Sequence, residues 1–304
     1  MKKSILILPA MLMSLQLCAN EWQLQNLQFI TENDGDFRED REYTYGGSLG
    51  ALFLTNKKNN KAEYISFHFA HQMYTPDDFE SADLQVDERP YAGYMYLMSD
   101  LSWVDNTTLD SLSFEVGVVG PAAQMEGIQK MIHDLIGSPE PQGWDHQLQN
   151  ELILQINYEQ KNYHNKYLVS QYGFELGNRS IKAFGGVLAR WGENIPKDFG
   201  TYNIQSMHDS KILLTSTKQN SQISYYLNFS LKANLIARDI FLDGNTFRNS
   251  HSVDKNYATL DIGYGFSCAY ENFTFDYLRE HSTKKYKTQD KLHSYGSFIF
   301  GYYF

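Results

Sequence analysis

The chain has 304 residues, a formal net charge of −10 and a mean hydropathy of −0.47. Its acidic residues are spread rather than clustered, and no basic patch offers a footprint for nucleic acid, so no nucleic-acid partner is expected. After the first 20 residues no window approaches the roughly 18 consecutive apolar residues of a membrane-spanning helix, which excludes a helical membrane protein and leaves a soluble globule or a β-barrel.

Residues 1–20 open with Lys2 and Lys3, run through apolar residues from Ile5 to Leu17, and reach Cys18, Ala19 and Asn20. A basic start, an apolar run and a small residue at the exit predict a signal peptide over 1–20, followed by a single domain over 21–304. Leu17 is too large for the position before a lipidated cysteine. Cleavage near Asn20 leaves Cys268 as the remaining cysteine, so no intramolecular disulfide is expected.

Twelve strand-like stretches then follow at about 22–32, 43–55, 62–73, 91–103, 110–119, 147–160, 165–177, 180–191, 221–241, 255–269, 272–283 and 292–304. In the last of these Phe298, Phe300, Tyr302 and Phe304 make every second residue aromatic to the end of the chain, in a sequence with 22 Tyr and 19 Phe. Period-two aromatics of this kind suit the lipid-facing side of an outer-membrane strand. The predicted fold is therefore all-β: a twelve-stranded antiparallel transmembrane barrel of the outer membrane. An even strand number puts both chain ends on the periplasmic side.

Parity assigns the loops. Those at about 33–42, 74–90 and 120–146 face outward, whereas Asn56–Lys61, Asp105–Leu109 and Lys161–Asn165 are short inward turns. By the same count the stretch 192–220 is an inward turn, and it is long for one. In the first outward loop Glu32-Asn33-Asp34 precedes Asp40-Arg41 and Tyr43-Thr44-Tyr45-Gly46-Gly47. A carboxylate beside an amide suits a hard cation or an oxyanion, but Asx residues at strand ends also serve as turn formers. The second loop runs from Tyr74-Thr75-Pro76 to Arg89-Pro90-Tyr91-Ala92-Gly93, and Arg89 fits a phosphate or a structural ion pair. The third carries a short predicted helix over Gln124–Ile136, with Ile128, Met131, Ile132 and Leu135 on an apolar side and Gln129 and His133 sharing another face at i and i+4. The apolar side is expected to pack against the barrel wall or lipid, with His133 pointing into a crevice.

Taken in order, Asn33-Asp34, Asp40-Arg41 with Tyr43-Thr44-x-Gly46, Tyr74-x-Pro76, Arg89-Pro90-Tyr91-Ala92-Gly93, Gly117-Val118-Val119-Gly120-Pro121, Gln129-x-x-x-His133 and Gly143-Trp144-x-x-Gln147-x-x-Asn150-Glu151 resemble the motif series of the outer-membrane lipid A 3'-O-deacylase family. The resemblance implies removal of the 3'-linked acyloxyacyl chain of lipid A, with Ca²⁺ as cofactor. Lipopolysaccharide would be the substrate, outer-membrane lipids the surroundings, and the site would face the outer leaflet. It implies His133 as catalytic base, Asn33 and Asp34 as a site pair, with Asp34 at the metal, and Thr44 as a hydroxyl on the second strand. Gln129, one turn before His133, is expected to orient the imidazole or the water. Trp144 is expected to meet acyl chains or join the aromatic girdle. One departure stands out: a branch of that family uses a Lys in the second outward loop, and no Lys occurs between Tyr74 and Glu88. Two rival readings exist. A phospholipase-like esterase needs a nucleophilic Ser near the His, for which Ser138 in a Gly-Ser-Pro turn is the nearest candidate; a channel or adhesin needs none of these groups.

Overall fold

The structure, a computed structural model, describes residues 22–34, 41–58, 61–201, 205 and 222–304. The expected signal segment 1–20, Asp40 and most of the 192–220 stretch lie outside these. Twelve described strands form a closed barrel: β1 (Gln23–Asn33), β2 (Glu42–Lys58), β3 (Lys61–Thr75), β4 (Ala92–Val104), β5 (Thr108–Val119), β6 (Glu151–Asn165), β7 (Leu168–Gly177), β8 (Ser180–Glu193), β9 (Ser224–Asp239), β10 (Ala258–Tyr270), β11 (Phe273–Ser282) and β12 (His293–Tyr303). Each pairs antiparallel with its sequence neighbours, and β1 pairs with β12, so no strand is left with an open edge.

Alternation explains why these residues choose a barrel. Along β6 from Glu151 to Lys161 every second residue is buried and the intervening Leu152, Leu154 and Ile156 are exposed. On β12 Phe298 and Phe300 face out while Ser297, Ile299 and Tyr303 are buried, as the aromatic period predicts. The inside is polar. Glu115 lies 3.1 Å from Arg179, and Glu175 accepts from Arg179 at 2.8 Å and from Lys182 at 2.7 Å. Such charges are tolerable in a membrane protein because they face one another, away from lipid.

The two largest boundary differences from the sequence expectation are at the ends of one strand. Strand β6 starts at Glu151 rather than 147, because Leu148 and Gln149 are drawn into loop contacts: the Leu148 N–H donates to the Tyr91 carbonyl and the Gln149 N–H to Asn245 Oδ1. It also runs on to Asn165, so the expected turn at Lys161–Asn165 is displaced to Lys166–Tyr167, where Asn165 Oδ1 accepts from the Tyr167 N–H.

The described part of the long β8–β9 connection, up to residue 201 and at 205, enters the barrel. Asp198 forms a buried ion pair with Arg190 of β8, and Phe199 packs with Leu52, Val104 and Leu109 at the periplasmic end. Thr201 donates to Asp276 of β11 at 3.1 Å, and the Gln205 N–H reaches Glu32 near the outer end of β1 at 3.3 Å. The described residues 198–201 and 205 of this stretch thus make contacts inside the lumen. Near the outer end a chamber of about 70 Å³ remains, lined by Tyr74, Arg89, Arg179, Lys232 and Lys285 among others.

Candidate active site on the outer wall

The loop after β5 turns at Pro121–Ala123 and forms α1 (Met125–Ile136), which ends where Gly137 adopts φ 70° and its N–H donates to the His133 carbonyl. That left-handed position favours glycine. The Ser138 N–H bonds the same carbonyl at 2.9 Å, so Ser138 takes part in the helix cap. Gly93 on β4 lets the helix approach the wall closely: a Cβ there would lie 2.8 Å from Met125 Cβ. Met73, Tyr91, Ala123, Met125 and Trp144 form one buried cluster, with Tyr45, Met95, Val118 and Ile128 packed against it.

The face that meets the wall is the polar one. Met125, Gln129 and His133 are the buried residues of α1, whereas Met131, Leu135 and Ile136 are 64%, 86% and 57% exposed. Of the two surroundings expected for the apolar side, the barrel wall is thus ruled out for Met131 and Leu135. His133 Nδ1 lies against the Pro139 carbonyl and its ring meets Phe79 edge to face, with centroids 5.3 Å apart. A carbonyl accepts only, so Nδ1 carries the hydrogen and Nε2 is the nitrogen able to take a proton.

Gln129 Oε1 accepts from Trp144 Nε1 at 2.7 Å. Trp144 is 2% exposed and tilted against Tyr91 at 5.0 Å, so it is neither a girdle residue nor a surface for acyl chains. The correction has a simple cause: the indole N–H found a buried amide, and the ring completed the cluster beneath α1. Trp144→Phe removes the donor at Gln129 Oε1 and is expected to cost about 1–3 kcal/mol in thermal unfolding. A loss no larger in the single variant than in Gln129→Leu/Trp144→Phe would mean that the hydrogen bond carries nothing.

Asn33, Asp34 and Thr44 gather at the outer rim of β1 and β2. Asn33 is the last residue of β1, opposite Tyr45, and its Oδ1 is buried without a hydrogen-bond partner. Asp34 is buried and accepts from the Arg41 backbone N–H. Thr44 Oγ1 lies 2.6 Å from Thr75 Oγ1. The second outward loop joins this group to the helix: Asp77 lies 3.5 Å from the Arg41 guanidinium, and two residues later Phe79 touches His133. The Phe79 carbonyl in turn accepts from Tyr91 Oη at 3.1 Å and the Gln142 N–H at 2.9 Å. Thr75, Phe79 and the Pro139 carbonyl had no sequence signal as site residues. Their parts come from contacts between loops.

Among the described residues no three or more His, Cys, Asp and Glu side chains gather as a metal site. The donors that suit a hard cation are the orphaned Asn33 Oδ1 and the adjoining Asp34 carboxylate, both oxygen ligands of the kind Ca²⁺ takes.

Arg89 lies on the luminal side, where its guanidinium is 3.0 Å from Glu42, donates to the Phe241 carbonyl at 3.2 Å and sits over the Tyr74 ring. Of its two expected roles it takes the structural one. Tyr286 Oη lies 2.7 Å from Glu42 and 2.5 Å from Glu88, and burial lifts the Glu88 carboxyl above the usual carboxylate range. The sign follows: the stability contributed by Glu88 is complete below its ordinary titration range and is lost as pH rises through its raised value. Glu88→Gln is expected to flatten that decline in the unfolding midpoint, and an unchanged slope would assign it to other groups.

The sequence matches the family model described as "Outer membrane protein LpxR" over residues 5–304. The fold is similar to that of LpxR from Salmonella typhimurium, with 18% identity, 92% of this chain and 100% of that chain covered, and a TM-score of 0.76. The translocator domain of the autotransporter NalP from Neisseria meningitidis is 9% identical, with 98% and 95% covered and a TM-score of 0.46. No curated protein matches the sequence.

Proposed function

The chain belongs to the LpxR family of outer-membrane proteins, and from that premise we propose that it is a lipid A 3'-O-deacylase, hydrolysing the ester of the 3'-linked acyloxyacyl chain at the outer leaflet. The observation that carries the reading is His133, buried between α1 and the barrel wall with Nδ1 committed to the Pro139 carbonyl. His133 Nε2 takes a proton from water as the oxygen attacks the ester carbonyl. When the tetrahedral intermediate collapses, the same proton passes to the departing 3'-oxygen of the sugar, and the fatty acid is released. This two-way use of one imidazole needs no serine nucleophile.

Thr44 stands at the rim as a hydroxyl donor to the substrate. Gln129 acts through Trp144, holding the helix turn that carries His133. Asn33 and Asp34 would hold the cation, and when bound, Ca²⁺ would supply a Lewis acid for the developing oxyanion.

Mass spectrometry of lipid A from cells with and without the protein, each with and without a chelator, tests the reading. A mass loss equal to the 3'-acyloxyacyl group, seen with protein and free cation, is expected; unchanged lipid A beside a folded barrel would refute it. Asp34→Ala is expected to raise the Ca²⁺ concentration needed for half-maximal deacylation, and an unaltered requirement would remove Asp34 from the metal site.

A further inference from the structure

Helix α1 carries three stripes rather than two. Met125, Gln129 and His133, at i, i+4 and i+8, meet the barrel wall. Glu126, Lys130 and Asp134 form a polar stripe beside them, with Lys130 Nζ 3.0 Å from Glu126 and 3.0 Å from Glu140. Ile128, Met131, Ile132 and Leu135 form an apolar stripe on the other flank, where Leu135 is among the most exposed large apolar side chains described. In water this helix would be the wrong way round, because a surface helix turns its apolar side to the core.

The barrel wall beneath it supplies the missing surroundings. Phe69, Leu97, Val116 and Leu154 pair across β3 to β6 and are all exposed, making one lipid-facing row. The next row outward contains Met95, Val118 and the exposed Leu152, and Met95 and Val118 already pack against the cluster under α1. Two residues along a strand span about 7 Å. On β4 to β6 the lipid-facing belt therefore continues without a polar break up to the helix, and its polar neighbour in that row is His71 on β3, paired with Met95.

We propose that α1 is an interfacial helix seated in the outer leaflet, its Met131 and Leu135 flank in contact with acyl chains and its Glu126, Lys130 and Asp134 flank at the aqueous surface. An amphipathic helix with one apolar and one charged flank lies in the plane of the interface in this way. His133, buried between α1 and the wall, is then approached sideways from the leaflet, so an acyl chain reaches it without crossing water. The depth of α1 is independent of the reaction assigned to His133, and its test needs no turnover.

The test places single cysteines by Leu135→Cys, Met131→Cys, Glu126→Cys and Leu97→Cys in the full chain lacking Cys18 and Cys268, attaches a nitroxide, and reconstitutes the barrel in phosphatidylcholine vesicles. Collisions with dissolved oxygen report lipid and collisions with a water-soluble nickel chelate report solvent. Labels at 131 and 135 are expected to favour oxygen several-fold, as the label at 97 does, while the label at 126 favours nickel. Met131 and Leu135 are exposed, so labels there leave the buried Met125, Gln129 and His133 stripe in place. Labels at 131 and 135 that favour nickel as the label at 126 does would overturn the proposal.

Discussion

His133→Ala is expected to lower the rate of lipid A deacylation by about 10²–10⁴-fold, the usual contribution of a positioned general base, with the barrel intact. The barrel survives because His133 belongs to a helix on the outer wall, and none of the twelve strand pairings involves it. Alanine also keeps the helix. What disappears is the nitrogen able to take a proton, together with the contacts to the Pro139 carbonyl and to Phe79. His133→Gln separates these losses, since a glutamine amide can still donate to a carbonyl but cannot accept a proton at neutral pH. If the second variant is as slow as the first, the missing base is the cause. If it recovers most of the rate, His133 acts by holding the 139 region in place, and the base must be sought elsewhere.

The largest structural effect is expected at Arg89. Arg89→Ala should destabilise the barrel by about 3–5 kcal/mol, the range for removing one partner of a buried ion pair. The guanidinium and the Glu42 carboxylate are 2% and 7% exposed, and they lie 3.0 Å apart. Without Arg89, Glu42 keeps the hydroxyl of Tyr286 at 2.7 Å but loses its counter-charge. The Phe241 carbonyl and the Tyr74 ring lose the cation as well, so the loops after β3, β9 and β11 are loosened together. The measurement is the midpoint of urea unfolding in lipid vesicles at unchanged slope. Arg89→Met with Glu42→Gln should recover most of the loss, because an apolar chain beside a neutral amide leaves no buried charge unpaired. A loss below about 1 kcal/mol in the single variant would mean that water reaches the pair and screens it, as at an exposed salt bridge.

Membership of the LpxR family leaves one departure to explain: the second outward loop has no Lys between Tyr74 and Glu88. In this chain the loop is built on other contacts. Asp77 pairs with Arg41 of the first loop, and Phe79 lies against His133. The loop thus connects the Asn33–Asp34 rim to the helix through an ion pair and a ring contact, and no lysine is needed for that connection.

Much of this molecule is readable one strand at a time. A period of two, repeated twelve times with turn residues between, is a local property, and it determined the strand count, the direction of each strand and the side of the membrane on which each loop falls. The same locality put Gln129 and His133 on one face of a helix, whereas the choice of His133, Asn33, Asp34 and Thr44 as site residues came from the resemblance to the lipid A 3'-O-deacylase motif series. What the tertiary structure alone decided are the contacts between segments far apart in the chain. The Met125, Gln129 and His133 stripe of α1 meets the wall because Gly93 admits Met125 closely and Trp144 finds Gln129. The described residues just after β8 turn into the lumen because Asp198 meets Arg190 and Thr201 meets Asp276, inside a barrel whose polar interior exists only once it has closed. A helical pattern ranks its faces by polarity, but polarity has two opposite readings beside a lipid-covered wall, and only the packed structure selects between them.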